Sequence, residues 1–127
     1  MGVRVLIVDD DIDLLDTLER LLGRFGYRCL TASSGAEAMQ VIQAESPDLV
    51  VTDLHMPGMD GAAVARCARA HCPPIPVVLM TAYPARMPHR QVQEAGATIQ
   101  VAKPFANLDL VHAVQRALGD PGAFAAP

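Results

Sequence analysis

Five times along the chain, a short run of branched apolar residues gives way to a longer stretch in which apolar positions recur every three or four residues. The first run, residues 3–8, is Val-Arg-Val-Leu-Ile-Val and stops abruptly at carboxylates, the pattern of a strand buried on both faces. Leu14, Leu15, Leu18, Leu21, Leu22 and Phe25 then form the inward stripe of an amphipathic helix. Its acidic first turn suits the helix dipole, and Gly26 can end it in a left-handed cap. This stripe reads as core, not as an interaction zipper. Residues 27–31 form a second strand. Ser34, with Glu37 three residues on, opens a second helix that runs to about Glu45 and is stopped by Ser46-Pro47.

The alternation continues through the second half. Residues 49–52 form a third strand with Asp53 at its carboxyl end. Met56-Pro57-Gly58-Met59-Asp60-Gly61 is turn chemistry, and Asp60 can cap a third helix running through Ala70. A proline-rich connector leads into a fourth strand, residues 77–80, that ends at Thr81. Residues 82–95 contain two prolines and few apolar positions, so this is the weakest helix of the set. Pro88 as its first helical residue and Gly96 just past its end would make it short. Residues 98–102 form a fifth strand, followed by Lys103-Pro104-Phe105. Asn107 is the expected cap of a last helix whose Leu110, Val111, Val114 and Leu118 face inward. From residue 119 to 127 the chain is mostly small residues, Gly and Pro, the composition of a flexible tail or linker stub.

Strands alternating with helices place the chain in the α/β class. The expected architecture is a doubly wound (βα)5 fold, with five parallel strands and helices on both faces of the sheet. Its 127 residues suit one domain, and 51 % hydrophobic against 19 % charged residues excludes a disordered chain. No apolar run approaches the roughly 20 residues needed to span a bilayer, and the first apolar run is too short for a signal-peptide core. The expected location is therefore cytoplasmic, with no membrane partner. A formal net charge of -4 argues against direct nucleic-acid binding, which needs a basic stripe. Cys29, Cys67 and Cys72 form no CxxC pair and read as reduced thiols, and His71 beside Cys72 matches no zinc spacing.

Sheets of this class bind ligands outside the carboxyl ends of their strands, where the strand order reverses. Asp9 and Asp10 follow the first strand, Asp53 the third, Thr81 the fourth and Lys103 the fifth. If the order is 2-1-3-4-5, the first and third strands are neighbours and their carboxylates share one crevice. A like-charge pair at about 4 Å repels by roughly 4 kcal/mol at an effective dielectric near 20, so positive charge must enter. Lys103, the single lysine of the chain, supplies one unit. A hard divalent cation supplies two, and an all-oxygen set of donors selects magnesium or a similar ion. Asp53 in that setting can attack phosphorus and become an aspartyl phosphate, with the Thr81 hydroxyl bonding one phosphoryl oxygen. The donor can be another protein's phosphorylated side chain. Asp11 and Asp13 have a simpler role, loading the start of the first helix with negative charge.

Four segments, in order, resemble the receiver domain of bacterial two-component response regulators. They are Val8-Asp9-Asp10-Asp11, the stretch from Thr52-Asp53-Leu54-His55 through Met56-Pro57 to Asp60-Gly61, Met80-Thr81-Ala82, and Lys103-Pro104-Phe105. The resemblance runs from Val3 to about Leu118 and implies a receiver domain over residues 1–118, with 119–127 as tail. It implies Asp53 as phosphoacceptor, Asp10 and Asp53 as direct Mg2+ ligands, the backbone carbonyl of His55 as a third, and Asp9 acting mainly through metal-bound water. Lys103 becomes the phosphate-binding lysine, Thr81 the switch hydroxyl with Ala82 beside it, and the Lys103-Pro104 peptide is expected to be cis. Tyr83 and His55 take positions that flank the phosphoryl group and would slow attack by water. The implied donor is a sensor histidine kinase or phosphotransfer protein. The implied target is an output partner or output domain, and a phosphorylation-dependent dimer is left open. Such a domain assists its own phosphorylation and hydrolysis and is not an enzyme acting on a free metabolite.

One position departs from the family. Many receivers carry Tyr or Phe on the fifth strand where this chain has Gln100, so the usual aromatic half of the switch is missing. Thr81 can still bias the following loop, because a population shift needs only different contacts in two states. Gln100 also keeps open a second reading, a receiver-like protein-binding scaffold that signals without phosphorylation. A third, a haloacid-dehalogenase-type phosphohydrolase, requires a second acid two residues after the nucleophile, where this chain has His55.

Overall fold

The computed structural model describes residues 2–56, 58, 60–72, 75–81 and 99–119. The expected helix over residues 82–95, with Ala82 and Tyr83, and the tail from residue 120 lie outside the described residues. The elements in chain order are β1 (Arg4–Val8), α1 (Ile12–Arg24), β2 (Arg28–Ala32), α2 (Gly35–Glu45), β3 (Leu49–Asp53), α3 (Gly61–His71), β4 (Val77–Thr81), β5 (Ile99–Ala102) and α4 (Asn107–Ala117). All strand pairs are parallel and the sheet order is β2-β1-β3-β4-β5, the order on which the shared crevice depended.

The two-residue period of a strand explains why the apolar runs are nearly continuous. Leu6, Val8, Val50, Val77 and Leu79 face one side of the sheet, where Ala38 and Ile42 of α2 and Val64, Ala65 and Ala68 of α3 cover them. Val5, Ile7, Leu49, Val51, Val78 and Met80 face the other, against Leu15, Leu18 and Leu22 of α1 and Leu110, Val111 and Val114 of α4. β3 and β4 are buried along their whole length. Among the described residues, no helix is long and apolar enough to cross a membrane. Burial pushes the Cys29 thiol up from its ordinary 9.0 to about 11, helped by the charge of Glu19, as suits a thiol that stays reduced and inert.

Helix ends follow the chemistry read from the sequence, with two corrections. Gly26 adopts φ 90°, and the Gly26 and Tyr27 N–H groups donate to the carbonyls of Gly23 and Leu22, the paired bonds of a Schellman turn. Asp11, Ser34 and Asp60 cap α1, α2 and α3, accepting the N–H of Leu14, Glu37 and Ala63. Phe25 leaves the expected core stripe: it is the C-cap of α1 and is exposed. Asn107 is not the cap of the last helix. The cap position is Ala106, which has no side-chain bond to offer, and its carbonyl accepts from Asp109 and Leu110. Burial of Leu110, Val111 and Val114 sets the register of α4, and a capping preference of about 1 kcal/mol yields to it.

Candidate functional site

Parallel strands end on the same side of a sheet, so the residues that leave β1, β3, β4 and β5 arrive together. Val8 pairs with Thr52, Asp53 with Met80 and Thr81 with Ala102, which brings Asp9, Asp53, Thr81 and Lys103 to one edge. Asp53 is itself the last residue of β3, and it is buried; Asp9 is almost completely buried, whereas Asp10 is exposed. One carboxylate oxygen from each of Asp9, Asp10 and Asp53 lies within 4.8 Å of the others.

Lys103 closes the cluster. Its Nζ donates to Asp9 Oδ2 at 2.7 Å and stands 3.5 Å from Asp53 Oδ2. The other Asp9 oxygen accepts the Asp11 N–H at 2.9 Å, so both oxygens of this carboxylate are held. Asp53 is held by the His55 backbone N–H, which donates to its carboxylate. Burial keeps the Asp53 carboxyl above its ordinary 3.8; the charge of Lys103 opposes this and that of Asp9 adds to it. Burial works against the Lys103 charge, but the hydrogen bond to Asp9 and the charges of Asp53 and Asp9 outweigh it, and the ammonium is held above its ordinary 10.5.

The remaining expected residues fall as follows. Thr81 is fully buried, and its backbone carbonyl accepts the Lys103 N–H at 2.7 Å, so a backbone hydrogen bond joins the two at the ends of β4 and β5. The Lys103-Pro104 peptide is cis. His55, two residues after Asp53, is exposed. Gln100 is half-buried in β5, paired in register with Leu79, and lines a cleft of about 470 Å³ with Pro104, Phe105, Asp109, His112 and Arg116. It is not part of the carboxylate cluster.

Three carboxylates against one ammonium leave an excess of negative charge, and the cluster offers oxygen donors alone. That donor set fits a hard divalent cation such as Mg2+. Residue type and spacing mark Asp60-Gly61 as turn and cap chemistry and give Gly61 no role at the site. The structure adds that Gly61 packs directly on the backbone of Asp53, and its N–H donates to the Leu54 carbonyl at 2.8 Å. The Asp-Gly pair at the start of a helix was the available signal, but the close approach behind it spans two elements.

A buried carboxylate at the switch point of a parallel sheet, flanked by two further acids, a lysine and a buried threonine, is the site of an α/β domain of the doubly wound class. The response regulator receiver domain family matches residues 5–115, and the chain belongs to that family. It is 39 % identical over 122 residues to the transcriptional regulatory protein PrrA of Mycobacterium leprae, covering 96 % of this chain and 52 % of that protein. The chain thus spans about half of that regulator's length. It is 33 % identical over 118 residues to sporulation initiation phosphotransferase F of Bacillus subtilis, covering 93 % of this chain and 95 % of the relative. The receiver domain of a sensor histidine kinase from Pseudomonas aeruginosa, solved with a magnesium ion in its active-site cleft, superposes with a TM-score of 0.83 at 26 % identity. That likeness covers 94 % of this chain and 100 % of the solved domain. The protein is therefore a phosphoacceptor receiver domain of two-component signalling, and receiver domains bind Mg2+ in this acidic site. Nothing in its site or its relatives favours the scaffold that signals without phosphorylation.

Proposed function

We propose that Asp53 accepts a phosphoryl group from a phosphohistidine of a sensor histidine kinase or phosphotransfer protein, and that residues 1–118 form the receiver unit, with 119–127 as tail. The observation that carries this reading is the meeting of the Asp9, Asp10 and Asp53 oxygens within 4.8 Å, with the Lys103 ammonium against two of them. An Asp53 carboxylate oxygen attacks phosphorus as the bond to the donor imidazole breaks, leaving an aspartyl phosphate and a neutral histidine. Burial of Asp53 keeps its oxygens poorly solvated, and the His55 N–H orients them. Lys103 offers its ammonium to one phosphoryl oxygen, and Thr81 offers its hydroxyl to another. Asp10, Asp53 and the His55 carbonyl, with Asp9 behind a water, would hold Mg2+, which supplies positive charge to the phosphoryl oxygens when bound.

Release of the message uses the same residues. A Thr81 drawn toward the phosphoryl group pulls on the hydrogen bond its carbonyl accepts from the Lys103 N–H, and Ala82 and Pro104 follow; Gln100 leaves this motion without an aromatic side chain to move. Tyr83 and His55 would set how long the aspartyl phosphate survives. The target is an output partner or output domain, reached without direct contact to nucleic acid by this domain, and self-association on phosphorylation belongs to the same proposal. The near full-length match to a phosphotransferase supports a relay role as well as a direct one. The test is uptake from a small acyl phosphate in the presence of Mg2+. Intact mass should rise by one phosphoryl group in the wild-type chain and stay unchanged in Asp53→Asn. Undiminished uptake by Asp53→Asn would refute the assignment.

A further inference from the structure

We infer that Gly61 and Thr52 are positioning residues for the phosphoacceptor, seating the carbonyl side of Asp53 so that its carboxylate faces the donor. The inference rests on the reading of Asp53 as phosphoacceptor and concerns how the chain holds that residue still. Past Asp53 the chain leaves the sheet, and the last ladder bond runs from the Leu54 N–H to the Met80 carbonyl at 2.9 Å. Two contacts then fix the Asp53 peptide from the other sides. The buried Thr52 hydroxyl donates to the Asp53 carbonyl at 3.0 Å. The first residue of α3 closes over the same carbonyl: Gly61 donates its N–H to Leu54, and its Cα faces the Asp53 peptide.

The space there is for hydrogen alone. A Cβ built on Gly61 falls onto the Asp53 carbonyl oxygen, and stands 2.9 Å from Leu54 Cα and 3.0 Å from the Asp53 carbonyl carbon. Each of these is a backbone atom, so none can swing aside as the end of a side chain would. Gly61 does not adopt positive φ, so glycine is required for room and not for conformation. Gly58, in the same loop, is the reverse case: its φ is 81° and a Cβ there meets nothing within 4 Å among the described residues. A methyl at 61 must therefore push the Asp53 peptide outward or lift α3. In-line attack on phosphorus is sensitive to such a shift, since a misplacement of about 1 Å can slow a reaction about a hundredfold.

The two glycines make a matched experiment. Phosphorylation by an acyl phosphate with Mg2+ is followed by intact mass and expressed per folded molecule, the folded fraction being read from circular dichroism. Gly61→Ala should be slowed at least about tenfold and Thr52→Val about threefold, whereas Gly58→Ala should lose thermal stability yet keep its rate within about twofold. The 19F spectrum of the beryllofluoride adduct should shift in Gly61→Ala and Thr52→Val but not in Gly58→Ala, a signature that mere loss of stability does not produce. If Gly61→Ala does not fold, Thr52→Val decides by the same two readouts. In the wild-type chain, the Gly61 amide should exchange with solvent as slowly as the amides of β3. Wild-type rates in folded Gly61→Ala and Thr52→Val, equal slowing by Gly58→Ala, or loop-like exchange at Gly61 would each overturn the seat. No uptake by the wild-type chain would instead overturn the phosphoacceptor reading beneath it.

Discussion

The Lys103 ammonium sits 2.7 Å from Asp9 Oδ2 and 3.5 Å from Asp53 Oδ2, so the single lysine of the chain bonds Asp9 more closely than Asp53, the proposed phosphoacceptor. Asp9 thereby keeps a positive charge at the edge of the site without tying up the Asp53 carboxylate. The lysine needs only a small shift to meet a phosphoryl oxygen on Asp53.

Replacing that lysine tests the arrangement. Lys103→Met should fold, because the two apolar layers do not depend on it, but should accept phosphate at least about tenfold more slowly. It also leaves Asp9 facing Asp53 without a counter-charge, so Mg2+ should raise the melting temperature more in Lys103→Met than in the wild type. With its folded pKa raised, Lys103 contributes stability that is complete below its ordinary 10.5 and is lost as pH rises through the higher folded value. The wild type should therefore lose this increment only in strong alkali, and Lys103→Met should show no such loss. Thermal melts across pH, with and without Mg2+, check both points.

Asp53 carries the opposite sign. Its folded pKa is raised, so the native state takes up a proton before the unfolded state does, and the ionised carboxylate lowers stability at neutral pH. Asp53→Asn should melt higher than the wild type at pH 7 in chelator. The gap should close as pH falls through the raised value toward 3.8, where the wild-type residue is neutral too. An equal gap at all pH would show that the ionised state is not what is unfavourable.

The uncapped start of α4 is a place to gain stability. Ala106→Ser supplies an oxygen for the free N–H groups of the first turn and should raise the urea midpoint, equivalent to about 0.5–1 kcal/mol at unchanged slope. Asn107→Ala should change little, because Asn107 lies inside the helix and does not cap it.

Gln115 is buried in α4, and its Oε1 has no hydrogen-bond partner among the described residues. Gln115→Met keeps the shape and removes the stranded acceptor, and should stabilise by about 1 kcal/mol. The expected rise in melting temperature is roughly 3–5 °C for a domain of this size, with no effect on phosphorylation. A lower melting temperature would mean that the amide is satisfied in solution.

Much of the fold could be read along the chain, because the forces that choose its elements act at short range. Parallel strands covered on both faces need unbroken apolar runs, and the helices between them need one apolar stripe each; the first appear in the sequence as short branched runs and the second as a period of about 3.6. The candidate site was legible for a related reason. Strand ends in a parallel sheet share one edge, so Asp9, Asp53, Thr81 and Lys103 could be placed together once the elements were known. Weaker local signals misled where packing outweighed them. Asn107 is a better cap than Ala106, yet the burial of Leu110 and Val111 starts the helix one residue earlier than that preference would have it.

The order of elements, the two apolar layers and the membership of the site follow from residue type and spacing, since each depends on dihedral preference and burial within a few turns of chain. Which carboxylate takes the lysine, and why Gly61 admits no side chain, depend on how segments far apart in sequence come to rest. Lys103 and Asp9 are 94 residues apart, and the choice between a 2.7 Å and a 3.5 Å partner is a matter of less than an ångström. The seat on Asp53 likewise exists only because α3 lands on the end of β3. Hydrogen bonding and steric repulsion change steeply over such distances, and no pattern along the chain encodes them.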